Sequence, residues 1–173
     1  MKKDHPAVLL AALLPSWELS LAERDLSERT LEAYRRTGQQ FTAWLAREGL
    51  PASVEDIDAP HIRAFLAAET ERTSAVSSHQ HYRNLRVLFR WLAKEGERTE
   101  ADPMPRVDPP KVTKKIKPVL GQDQLAKLLK ACEGTTFECR RDTAIVRILI
   151  DSGVRVSGIG GIRTADVELS HKV

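Results

Sequence analysis

This 173-residue chain has two cysteines, two tyrosines and no apolar run of membrane-spanning length. Six residues separate Cys132 from Cys139, and no second Cys or His pair stands at zinc-ligand spacing. Neither a disulfide framework nor a metal site is indicated, and two free thiols in a reducing compartment are expected. The missing apolar run speaks against a membrane partner and leads to the expectation of a soluble, cytoplasmic protein. The N-terminus imitates a secretion signal, with Lys2 and Lys3 ahead of the apolar residues 7–14, but Asp4 and Pro6 interrupt it and no small-x-small cleavage site follows. Strong net charge is absent as well. A balance of +3 with a pI near 9.0 is far from that of a histone-like binder, so any nucleic-acid signal has to come from where the charges sit. No internal repeat or low-complexity tract occurs. What remains is 42% apolar and 29% charged residues, an ordinary globular balance with enough chain for one ample core or two small ones.

Helix signals dominate what is present. Leu9, Leu10, Leu13 and Leu14 recur at helical spacing, so residues 1–18 read as a short docking helix or tail. Ser27 is a capping residue for a helix that presents Leu31, Tyr34, Phe41 and Leu45 on one side until Gly49 ends it. Asp58-Ala59-Pro60 is a second start signal, followed by Ile62, Phe65 and Leu66. A third helix is predicted from about Ser77 to Lys94, a fourth from Gln122 to Cys132 with Leu125, Leu128 and Leu129 inward, and a fifth from about Glu138 to Asp151 before Gly153. Between the third and fourth, Pro103, Pro105, Pro109, Pro110 and Pro118 forbid continuous helix and favour extended backbone. The reading is all-α: residues 19–100 as a helical domain, 101–118 as a basic, proline-rich linker, and 119–173 as the opening of a second domain whose segment 166–173 approaches a strand.

The charges are not evenly spread. At roughly 100° per residue, His79, Arg83, Arg86, Arg90 and Lys94 fall within about a sixth of the helical circumference. Tyr82, Leu85, Leu88, Phe89 and Leu92 gather on the opposite side, where they can be buried. A solvated face normally mixes signs and pairs acids with bases at i,i+4, whereas this stripe holds no acid. The linker adds Arg106, Lys111, Lys114, Lys115 and Lys117 against Asp102 and Asp108. An extended cationic segment can follow a phosphate backbone, and two basic elements flanking one hinge suggest a clamp around double-stranded DNA. A solvated face and a solvated hinge are the plainer alternatives for the same residues.

One segment is recognisable. Leu149-Ile150-Asp151-Ser152-Gly153-Val154-Arg155-Val156-Ser157, with Ile162 and Asp166-Val167 after it, resembles the first catalytic box of the tyrosine site-specific recombinases, the phage-integrase and Xer-like family. Ser27, Thr30, Tyr34, Phe41, Trp44, Leu45, Phe89, Trp91, Leu92, Asp102 and Pro103 follow in order the pattern of that family's SAM-like core-binding domain. The Pro109-Pro110-Lys111 linker and Pro118-Val119-Leu120 fit too, so the resemblance covers roughly residues 20 to 169. It implies a SAM-like helical bundle joined by a basic linker to the first helices of a mixed α+β catalytic domain. It further implies DNA integration or site-specific recombination without metal, nucleotide cofactor or small-molecule substrate, with other recombinase subunits as partners on DNA.

In that family a tyrosine attacks a DNA phosphate while arginines, a lysine and His/Trp residues stabilise charge and handle protons. Arg155 matches the first catalytic arginine. No His-x-x-Arg occurs here, and Tyr34 and Tyr82 lie on apolar faces where a core role is expected. The family usually has Glu three residues after that arginine. Here Gly158 stands in its place, followed by Ile159, Gly160 and Gly161, and such a segment is expected to be marginal as helix. The resulting expectation is a recombinase portion that stops after its first catalytic box, monomeric in solution and inactive in strand transfer by itself. Two other readings stay open: a helical DNA-binding transcription regulator with a helix-turn-helix, and a protein-interaction bundle anchored by Trp44 or Trp91.

Overall fold

Ser27 opens the long helix α2 (Glu28–Arg47) by accepting a hydrogen bond from the Thr30 amide at 3.3 Å, and Gly49, at φ +64°, closes it in a conformation that other residues adopt at a cost. Asp58 starts α3 (Ala59–Arg72): its carboxylate accepts from the Ala59 amide at 2.8 Å while His61 Nδ1 accepts from the Asp58 amide at 3.0 Å. Ser74 caps α4 (Ala75–Lys94) and leaves only Thr73 and Ser74 between α3 and α4. These caps satisfy amides that a helix cannot pair internally. The computed structural model describes residues 8–113 and 118–168, which fall into two units divided after Lys114.

The first unit is a helical bundle in which α2 and α3 each pack on α4, and α1 (Leu10–Ala22) packs on α2. Its core joins Leu10, Trp17 and Leu21 of α1 to Phe41 and Leu45 of α2, Ile62 and Phe65 of α3, and Leu85, Leu88, Phe89 and Leu92 of α4. The N-terminal helix is therefore part of the bundle. Residue 18, drawn above as a boundary, lies inside α1, whose buried residues at 10, 14, 17 and 21 form one helical stripe from end to end. Met104 and Val107, assigned above to the linker, are each 3% exposed in the same core.

Several contacts fasten the segment after α4 to the bundle. Arg98 is 6% exposed; it donates to the carbonyls of Val54 and Ala101 and lies 5.9 Å from the Phe89 ring centroid. Arg106 reaches the Asp58 carboxylate at 2.5 Å while its own carbonyl accepts from Arg63 at 2.9 Å. Asp58 thus serves two elements. Asp58→Ala is expected to cost roughly 0.5–2 kcal/mol, the range of a lost helix cap, read as a lower urea midpoint with an unchanged slope.

The second unit contains α5 (Gln122–Ala131), α6 (Phe137–Ser152) and the five-residue α7 (Val156–Gly160), then a 3-10 turn at Thr164–Asp166. No residue described in 118–168 is buried. Leu125 and Leu129 are half-buried as expected inward positions, but Leu128 is 41% exposed, because α5 packs mainly on α6 and shelters only part of its apolar stripe. No strand occurs among the described residues, and the expected approach to a strand at 166–173 lies largely outside them.

Candidate nucleic-acid interface

Helix α4 carries the basic stripe because its two sides have opposite character. Ser78, His81, Tyr82, Asn84, Leu85, Leu88, Phe89 and Leu92 face inward and are buried. Arg83, Arg86, Arg90 and Lys94 are exposed. None of these four takes part in an ion pair within 4.0 Å among the described residues. His79, the fifth member, is half-buried. Its Nδ1 lies 3.1 Å from the Pro110 carbonyl, which can only accept, so His79 donates there and clasps the segment after α4. Lys111 is exposed, whereas Lys114, Lys115 and Lys117 lie outside the described residues.

A groove of about 370 Å³ runs beside the stripe, between α2 and the start of α4. Arg36 of α2 and Arg72 of α3 line it together with Thr73, Val76, Ser77 and Gln80. Its floor is polar. Asn84, 3% exposed, donates to the Ala33 carbonyl at 3.0 Å and to Thr37 Oγ1 at 2.8 Å, and its oxygen accepts from Gln80 at 2.9 Å. Glu69, 6% exposed, is gripped by Arg72 through two hydrogen bonds at 3.0 and 2.6 Å. Those bonds hold its carboxyl below the usual carboxylate range in spite of burial. His81, buried beside it, is pushed below the ordinary imidazole range by loss of solvent, with Glu69 opposing and Arg36 and Arg72 reinforcing. Arg36, Arg72 and Gln80 escaped the reading by spacing, since three elements supply them. A readable sign was the polar pair His81 and Asn84 set among the apolar residues of α4.

In the second unit Arg155 is exposed at the residue preceding α7. A side chain at position 158 would meet Val154 Cγ2 at 2.7 Å, so the turn around Arg155 is built close about Gly158. Tyr82 is 9% exposed, and the half-buried Tyr34 stacks edge-on against Trp17 at 5.8 Å, both in the first unit. Trp44 is 6% exposed and packs on Phe65, completing the core.

Residues 13–96 match the model of the phage integrase N-terminal SAM-like domain, a stretch that spans α1 to α4. The tyrosine recombinase XerC of Xanthomonas axonopodis pv. citri is 31% identical over 157 residues, covering 85% of this chain and 51% of that protein. XerD of Listeria monocytogenes is 32% identical over 152 residues, with 86% and 50% covered. The chain belongs to the tyrosine recombinase family. Among solved structures it is similar to a lambda integrase fragment crystallised as a dimer bound to a COC′ core site, at a TM-score of 0.75 and 25% identity, over 93% of this chain and 56% of that one. A lambda integrase tetramer bound to a Holliday junction matches at a TM-score of 0.62, over 79% of this chain. This recombinase-family chain spans about half the length of the curated relatives it matches. Its first unit is the SAM-like bundle, and no described helix is long and apolar enough to cross a membrane.

Proposed function

We propose that this chain supplies the DNA-gripping portion of a cytoplasmic site-specific recombinase or integrase, with double-stranded DNA and further recombinase subunits as partners. The carrying observation is the exposed face of α4, where Arg83, Arg86, Arg90 and Lys94 stand without an ion-pair partner among the described residues. Cations that no carboxylate neutralises are available to phosphates, and each phosphate met releases counterions. In this reading Lys111, Lys114, Lys115 and Lys117 extend the track along the backbone, residues 119 onward open the catalytic domain, and Arg155 places one cation at the reacting phosphate. A single cation binds and stabilises charge but does not replace a nucleophile. Tyr82 is buried in the bundle core and Tyr34 packs against it, so these residues by themselves grip DNA without transferring strands and need no metal or cofactor for it. Fluorescence anisotropy of a labelled random duplex tests the reading. Affinity is expected to fall by at least about tenfold between 50 and 200 mM salt, and no detectable duplex binding at low salt would overturn the reading.

A further inference from the structure

The hydroxyl of Thr37 sets the tautomer of the neutral His81 ring. Thr37 Oγ1 donates its one proton to the Ala33 carbonyl at 3.0 Å and accepts from the Asn84 amide at 2.8 Å. His81 Nδ1 lies 3.0 Å from the same oxygen. While the hydroxyl proton is donated to the Ala33 carbonyl, this third contact is a bond when Nδ1 carries hydrogen and donates. Nε2 of the neutral ring is then a bare lone pair, and it lies 3.5 Å from Glu69 Oε2. Two acceptors face each other there with no proton between them. A proton added at Nε2 would turn that opposition into a charge-assisted hydrogen bond.

What holds the proton off is the surroundings. Burial disfavours the charged ring, and among the described charged groups around it Glu69 of α3 alone favours it. Arg72 of α3 and Arg36 of α2 oppose it, while Thr37 of α2 and Phe65 of α3 are uncharged neighbours. Arg47 acts at one remove, by favouring the Glu69 carboxylate. Arg36 and Arg72 also line the groove above the ring, beside the first turn of α4. An anion seated between them would offset the repulsion that, after burial, disfavours the charged imidazole.

We propose that the groove between α2 and α4 seats a backbone phosphate of the bound duplex above His81, and that Nε2 takes up one proton from solvent as it does so. The inference rests on the DNA-gripping reading and adds to it a second contact site with a coupled proton. Because binding raises the proton affinity of the ring, the complex holds more protons than the free components, so affinity rises as pH falls.

The test uses the whole 173-residue chain and the labelled duplex between pH 8 and pH 6 at fixed salt. Wild type is expected to tighten by about 3- to 10-fold on acidification, one linked proton giving at most about tenfold per pH unit. His81→Gln should flatten that dependence. Arg36→Ala, at an exposed position, should weaken binding at every pH and reduce the salt slope by about 1. Since Gln at a buried position can disturb folding, the His81 Cε1–H resonance of the wild-type chain is followed as well. Its titration midpoint should rise when duplex is added. Salt-dependent binding with an unmoved His81 midpoint and an Arg36→Ala variant equal to wild type overturns the groove and leaves the DNA reading standing. No duplex binding at low salt overturns both.

Discussion

Alanine at Arg83, Arg86 and Arg90 together is expected to weaken duplex binding by about 100-fold at low salt, if each lost phosphate contact is worth on the order of 1 kcal/mol. The same variant should lower the salt slope by about 3, one for each phosphate released. Both effects follow from position. The three side chains are exposed, make no ion pair among the described residues, and sit on a helix whose inner side is fully engaged in the core. Removing them costs the bundle little, so helicity and unfolding midpoint should match wild type. A variant that binds random duplex as wild type does, at both low and high salt, would remove α4 from the interface.

Phe41→Ala should have the largest effect on stability. The ring is fully buried, 5.0 Å from the Phe65 centroid and 6.5 Å from that of Phe89, so one side chain of α2 meets both α3 and α4. Truncating a buried Phe costs about 3–5 kcal/mol through lost burial and the cavity left behind, a large share of the roughly 5–15 kcal/mol that holds an ordinary domain together. At about 4–8 °C per kcal/mol for a unit of this size, the melting temperature should drop by at least about 12 °C. A midpoint within a few degrees of wild type would mean that neighbouring rings refill the space, and that the three helices do not depend on Phe41 as their common contact.

Helices α2, α3 and α4 were legible because their signals are local. Ser27 and Asp58 cap where the spacing placed them, Gly49 has the positive φ expected of a terminator, and Leu85, Leu88, Phe89 and Leu92 are all fully buried. The basic stripe was legible for the same reason, since one helix supplies it all. Membership was harder to read. That Leu10, Trp17 and Leu21 share a core with Phe41 depends on partners tens of residues away, and so do Met104 and Val107 behind Asp102-Pro103. Prolines announced extended backbone there, whereas Met104–Arg106 form a 3-10 turn behind Pro103, and prolines say nothing of whether such a segment lies against a core. The groove was least legible: Arg36, Arg72 and Gln80 come from separate helices, and the turn Thr73–Ser74 that sets α3 against α4 carries no sign of what it brings together.

The absence of any buried residue among those described in 118–168 bears on every unfolding experiment above. The denaturant slope scales with the surface a transition exposes, and the heat-capacity change with its apolar share. Both quantities are therefore set mainly by the first unit, and a slope calibrated on the full chain length would overstate the cooperative size of the protein. Calorimetry should register one transition whose enthalpy belongs to the bundle, with the helices after Pro118 melting as a sloping baseline beneath it.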